Sequence, residues 1–116
     1  MHVETFFGVV QKGAQRGKAL GYPTANIPLP DGVEPGIYAA RVYLADEASY
    51  LAAVFADQKR KVLEAHLLDF SDDLYGVGIK IELFSKIRDS KEFSSDAELR
   101  AAIADDIAKV REYFTT

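Results

Sequence analysis

The hydrophobic pattern changes period once along this chain, and that change limits the fold more than any other feature. Between residues 6 and 93 the apolar segments are short and interrupted by Gly, Pro and Asp, as expected of strands joined by turns. From residue 94 onward the apolar residues recur at three- and four-residue intervals. Leu99, Ala102, Ile103, Ile107, Val110 and Phe114 form one stripe, which predicts an amphipathic helix. Ser95 and Glu98 have the spacing of a capping box, in which two side chains satisfy backbone donors of the first turn. Arg100, Asp105, Lys109 and Glu112 read as its solvated face. A one-sided stripe must lie against something, and the strands before it are the candidate. The helix therefore reads as structural.

The strand region points to antiparallel pairing. Ile79-Lys80-Ile81-Glu82-Leu83 alternates apolar and charged residues, the pattern of a strand with one buried face. Residues 6–10, 37–44, 50–55 and 62–70 supply further extended stretches, with Gly36 and Ser71-Asp72-Asp73 as turn residues. Several short strands between turns predict a small barrel or sandwich. No internal repeat, low-complexity tract or linker interrupts them, so residues 1–116 read as a single domain.

Composition narrows the function classes. The chain has no cysteine, which removes disulfides and thiolate metal sites and fits a reducing cytosol. A net charge of −4 argues against a nucleic-acid partner, which needs a broad basic surface. Lys12, Arg16 and Lys18 nonetheless gather near the N-terminus and leave room for a local basic pocket. The start lacks the layout of a signal peptide, and no apolar run reaches membrane-spanning length. A soluble, cytoplasmic protein without a membrane partner is expected, as a monomer.

Three segments can carry chemistry. Gly8, Gly13, Gly17 and Gly21 space a loop whose backbone N–H groups can approach phosphate oxygens. Gly13-Ala14-Gln15-Arg16-Gly17-Lys18-Ala19 is a near miss to a P-loop: one residue is lacking between the glycines, and Ala19 stands where magnesium needs a hydroxyl. Pro23 also comes too soon for the helix a P-loop needs, so the P-loop is rejected and a plain glycine-containing hairpin loop is the better reading by local pattern alone. In Gly21-Tyr22-Pro23-Thr24-Ala25-Asn26, an extended backbone puts Thr24 and Asn26 on one side. Their oxygens then suit a hard cation such as magnesium, or they simply bond to a neighbouring turn. In residues 62–70, Glu64, His66 and Leu68 share one strand face, opposite Leu63, Ala65 and Leu67. A carboxylate in an apolar strand can serve as a general base. His66 reads first as a hydrogen-bonded structural group, and Asp69, Asp72 and Asp73 as a solvated turn lacking the glycine and glutamate of an EF-hand loop.

Taken in order, these segments resemble the riboflavin kinase family. The resemblance runs from the glycine-rich stretch ending in Gly21-Tyr22-Pro23-Thr24-Ala25-Asn26, through Gly36-Ile37-Tyr38-Ala39 and residues 63–70 with Leu74-Tyr75-Gly76. It closes with Leu83-Phe84, Ile87-Arg88 and Lys91-x-Phe93, and so covers about residues 6–114. It implies a mostly β fold, a six-stranded antiparallel Greek-key barrel with a C-terminal α-helix. It also implies transfer of the ATP γ-phosphate to the riboflavin 5′-hydroxyl, giving ADP and FMN. By motif, Glu64 is then the catalytic base, and Thr24 and Asn26 hold magnesium (Mg2+) and phosphate. Gly13, Gly17, Lys18 and Gly21 meet the nucleotide phosphates, and Arg88 lies on the flavin side. The His-x-Gly-His motif of the nucleotidyltransferase half of bifunctional FAD synthetases is absent, so FAD synthesis by this chain is not expected.

One stretch departs from the family pattern. Where an Asn-Ile-Gly-x-x-Pro-Thr segment is usual, residues 52–62 are shorter and lack the Gly and Pro-Thr. Lys18 also stands where Arg is common, keeping the charge without the planar fork. The shorter stretch fits an active kinase with a trimmed flavin lid. The alternative it raises is a non-catalytic barrel that binds nucleotide or flavin, or serves as an interaction module.

Overall fold

The computed structural model describes residues 3–11 and 24–115. Its strands are β1 (Glu4–Val9), β2 (Ala25–Pro28), β3 (Gly36–Tyr43), β4 (Ser49–Asp57), β5 (Val62–Leu67) and β6 (Gly78–Arg88), followed by one helix, α1 (Asp96–Thr115). Every pairing is antiparallel, and the order across the sheet is β1-β6-β3-β4-β5-β2. Strands β3, β4 and β5 follow one another as hairpins, and β6 returns to lie beside β3, which is the Greek-key arrangement. At the two sheet edges Gln11 bridges Asn26, its N–H donating to the Asn26 carbonyl at 2.7 Å. The sheet is thereby curled into a nearly closed barrel, as expected.

Closure depends on a side chain that is missing. A Cβ on Gly8 would lie 2.8 Å from Cβ of Ile27, which is fully buried on β2. Real Cβ atoms do not approach so closely, so β1 can reach β2 only because residue 8 is glycine. Gly8→Ala should destabilise the barrel by about 1–3 kcal/mol, the usual cost of overpacking a dense core. Urea denaturation checks this: an unchanged midpoint would mean that the barrel edge yields without cost.

Alternation along the strands divides the apolar residues between two layers. Ala40, Val42, Val54, Leu63, Ala65 and Ile81 point into the barrel. Ala39 and Ala53, cross-strand neighbours on the outer face, join Leu68 and Val110 in a second cluster. Their small side chains let α1 lie close against the sheet. Ile107, Tyr113 and Phe114 complete the contact from the helix. The apolar stripe predicted for this helix is the face that packs.

Several local expectations need adjustment. The Ser95 hydroxyl oxygen accepts the Glu98 N–H at 3.2 Å, as a capping box requires. The Glu98 carboxylate, however, turns to Ser94, accepting its N–H at 3.2 Å and its hydroxyl at 2.8 Å. The strand expected over residues 62–70 stops at Leu67, because Asp69 adopts a φ of 60°, a left-handed conformation that strands do not admit. Asp69 is also more than a solvated turn residue, since Arg111 on α1 donates to both of its oxygens at 3.2 Å.

Candidate active site

Strand β5 brings the functional face into being. Leu63 and Ala65 are fully buried inside the barrel, so the period of two sends Glu64 and His66 to the outer face. Cross-strand register extends this face on both sides. Asn26 of β2 sits opposite Glu64, and beyond it come Phe55 of β4, Ile37 of β3 and Arg88 of β6. Directly opposed residues point the same way, so these five form one row across five strands. Asn26 and Glu64 are immediate neighbours in it. Arg88 is three strand spacings from Glu64, on the order of 14 Å along the sheet.

Asn26 carries the feature most suggestive of a ligand. It is only 2 % exposed, and its side-chain Oδ1 has no hydrogen-bond partner among the described residues. A buried acceptor left unsatisfied is costly, and in native proteins it usually marks an ion, water or ligand position. Thr24, half-buried, lies two residues before it. An amide oxygen and a threonine hydroxyl two residues apart in sequence are the kind of donors that magnesium takes, keeping waters and phosphate oxygens in its shell. Among the described residues no group of three or more His, Cys, Asp or Glu is arranged to hold a metal ion.

Glu64 is held as an anion. Its side chain is 16 % exposed, Arg60 Nη2 donates to Oε2 at 2.6 Å, and His66 Nε2 lies 3.6 Å from Oε1. Burial pushes the carboxyl upward, but His66 and Arg60 more than offset this and hold it below its ordinary 4.5. The His66 contact is long for a hydrogen bond, so Arg60 is the firmer of the two anchors. A lowered folded pKa contributes stability that is complete above 4.5 and lost as pH falls through the lower folded value. Glu64→Gln should remove that part of the acid dependence. Denaturant midpoints compared between neutral pH and the acid limb check this, and parallel curves for both proteins would contradict it.

Arg60 and Asp57 attracted no notice in the sequence, where they stand in the short stretch that departs from the family pattern. Residues 58–61 form a tight turn between β4 and β5. Asp57 Oδ1 accepts the N–H groups of Lys59 and Arg60 at 3.0 and 3.2 Å, and Oδ2 accepts Arg60 Nε at 2.7 Å. The turn thereby folds Arg60 back onto Glu64. The only sequence signal was the i, i+3 and i, i+4 spacing of Asp57, Arg60 and Glu64, which gains meaning only once a hairpin is drawn through it.

Arg88 reaches the same outer face, but its planar group is already engaged. Nε and Nη2 donate to the two oxygens of Asp106 at 2.7 and 2.8 Å, and Nη1 donates to the Asp89 carbonyl at 3.1 Å. Its main visible work is to fasten α1 to the end of β6. Gly13, Gly17, Lys18 and Gly21 lie outside the described residues. Among the described residues no helix is long and apolar enough to cross a membrane.

Residues 2–114 match the family described as Flavokinase, riboflavin kinase. The bifunctional riboflavin kinase/FMN adenylyltransferase of Escherichia coli strain K12 is 38 % identical over 121 residues, covering 97 % of this chain and 39 % of that protein. The trifunctional protein RibF/MnmA of Mycoplasmoides gallisepticum is 37 % identical over 116 residues, covering 92 % of this chain and 18 % of its own length. The chain thus spans well under half of these relatives. Among solved structures, riboflavin kinase from Trypanosoma brucei superposes with a TM-score of 0.71 at 23 % identity, covering 100 % of this chain and 82 % of that one. A Streptococcus pneumoniae structure described as a macrolide-efflux protein gives a TM-score of 0.79 at 28 % identity, over 92 % of this chain and 38 % of its own. The match over almost the whole chain, on a barrel of the same fold, places this chain in the riboflavin kinase family.

Proposed function

We propose that residues 1–116 act as one riboflavin kinase domain, moving the γ-phosphoryl group of ATP to the 5′-hydroxyl of riboflavin. The observation that carries this reading is the cross-strand pair on the outer face: an ionised Glu64 beside the unsatisfied buried oxygen of Asn26. In the reaction the riboflavin 5′-oxygen bonds to the γ-phosphorus, and the bond from that phosphorus to the β–γ bridging oxygen breaks. ADP leaves with the electron pair, and the hydroxyl proton passes to Glu64. Little covalent chemistry is asked of a protein in such a transfer, and alignment with charge neutralisation does most of the work.

Each residue then has a defined task. Glu64, kept anionic by Arg60 and His66, accepts a hydrogen bond from the hydroxyl, orients it and takes its proton. Asn26 and Thr24 would hold the magnesium ion, which supplies charge neutralisation on the phosphates when bound. Gly13, Gly17, Lys18 and Gly21 are assigned by motif to the nucleotide phosphates. Arg88 is assigned to the flavin side, with Phe55 and Ile37 separating it from Glu64 in the row.

The test is product analysis with the full chain. FMN should form from riboflavin only when ATP and a divalent metal are both present, and a chelator should stop it. Asn26→Ala should raise the magnesium concentration needed for half-maximal rate by about tenfold or more, since ligand changes commonly cost that much. Quenching of flavin fluorescence without FMN, at high protein and with several divalent metals, would replace the kinase reading by that of a binding module.

A further inference from the structure

Arg60 is tied to the turn that carries it, although its own side chain is 37 % exposed. Asp57, 8 % exposed, holds two backbone N–H groups of the turn as well as Arg60 Nε. The turn is tied down again where Gln58 Nε2 donates to the Val33 carbonyl and Leu29 N–H donates to the Lys61 carbonyl, both at 2.9 Å. From this fixed base the guanidinium reaches Glu64 Oε2 at 2.6 Å. Arg60 is 37 % exposed, but the side chains of Asp57 and Glu64 are only 11 % and 16 % exposed and share the one guanidinium, a small network rather than an isolated surface pair. A glutamate has three rotatable bonds, and a base must present one oxygen to the hydroxyl within a few tenths of an ångström. With Oε2 anchored by Arg60, Oε1 has, among the described residues, only the longer 3.6 Å contact to His66 Nε2 and is the oxygen that a substrate hydroxyl can meet.

We propose that Arg60, held by Asp57, is a positioning residue that fixes the Glu64 carboxylate so that Oε1 meets the riboflavin hydroxyl. The assignment rests on the kinase reading above. Arg60 takes no proton and forms no bond to phosphorus; it acts through Glu64. Its location also explains how a stretch without the usual Asn-Ile-Gly-x-x-Pro-Thr segment can serve the site. A four-residue turn between β4 and β5 brings a guanidinium to the base directly.

The experiment measures kcat and KM for both substrates in the full chain and in Arg60→Met, Arg60→Lys and Asp57→Asn. Arg60→Met should lower kcat by about tenfold to hundredfold with each KM within about twofold, because slight misplacement of a catalytic group is enough for such a loss. Arg60→Lys should recover part of it, since one ammonium can reach Glu64 but lacks the fork that spans both carboxylates. Asp57→Asn should fall in the same direction as Arg60→Met, and it carries the test if Arg60→Met does not fold. A kcat for Arg60→Met within twofold of the parent, or a loss confined to KM, overturns the proposal. If the parent chain itself makes no FMN, the kinase reading has failed, and the positioning role is judged from crystal structures. One Glu64 conformation in the parent and several in Arg60→Met would support it; the same single conformation in both would overturn it.

Discussion

Replacing Glu64 by Gln should lower kcat for FMN formation by about 10²- to 10⁴-fold, the range that a positioned general base supplies. Riboflavin and ATP should still bind, since Gln keeps the size of the side chain and can still accept a hydrogen bond. The fold should survive as well. The Arg60 contact loses its charge, but Asp57 continues to hold the guanidinium at 2.7 Å. Steady-state kinetics together with ligand titration separate the two effects. Equal losses in binding and turnover would show that Glu64 holds substrate rather than receiving its proton. Glu64→Asp makes a finer probe: it keeps the charge but withdraws it by one methylene, and should retain more activity than Gln while remaining well below the parent.

Replacing Arg88 by Met should lower folding stability by about 3 kcal/mol, the scale expected when one member of a buried ion pair is removed. Asp106 is 4 % exposed, and both its oxygens are taken by Arg88. The pairing raises the Arg88 pKa above its ordinary value, chiefly through the hydrogen bonds to Asp106, with burial opposing. Without the guanidinium, the aspartate is left charged among the apolar contacts of α1 or must take up a proton. Combining Arg88→Met with Asp106→Leu should restore much of the loss, because an apolar pair of similar volume suits this position. Urea denaturation of the single and double variants reads the effect. The same proteins test the flavin assignment. If KM for riboflavin is unchanged in the double variant, Arg88 serves the helix and not the ligand.

These two residues show what could be read from the chain and what could not. The change of hydrophobic period marked the helix, and its stripe turned out to be the face that packs. Asp106 lies within that face, yet a charged residue contributes nothing to an apolar pattern, and its partner is 18 positions away. Alternation along β5 placed Glu64 and His66 on one face. It could not place Asn26 beside them, because that needs the order β4-β5-β2, in which β2 pairs with a strand far along the chain. Only the family motif joined the two segments beforehand. Arg60 was hidden for a related reason. The stretch around it stood out by what it lacks, whereas its own contribution appears when the turn brings Asp57, Arg60 and Glu64 together.

Transfer of labelled phosphate decides whether this chain phosphorylates riboflavin. The full chain is incubated with riboflavin, magnesium and ATP carrying label in its γ-phosphate, and the flavins are separated. The kinase reading predicts label in FMN, matched one for one by ADP, and at most about a hundredth of that rate in Glu64→Gln. Label that stays in ATP, or appears only as inorganic phosphate, would contradict it.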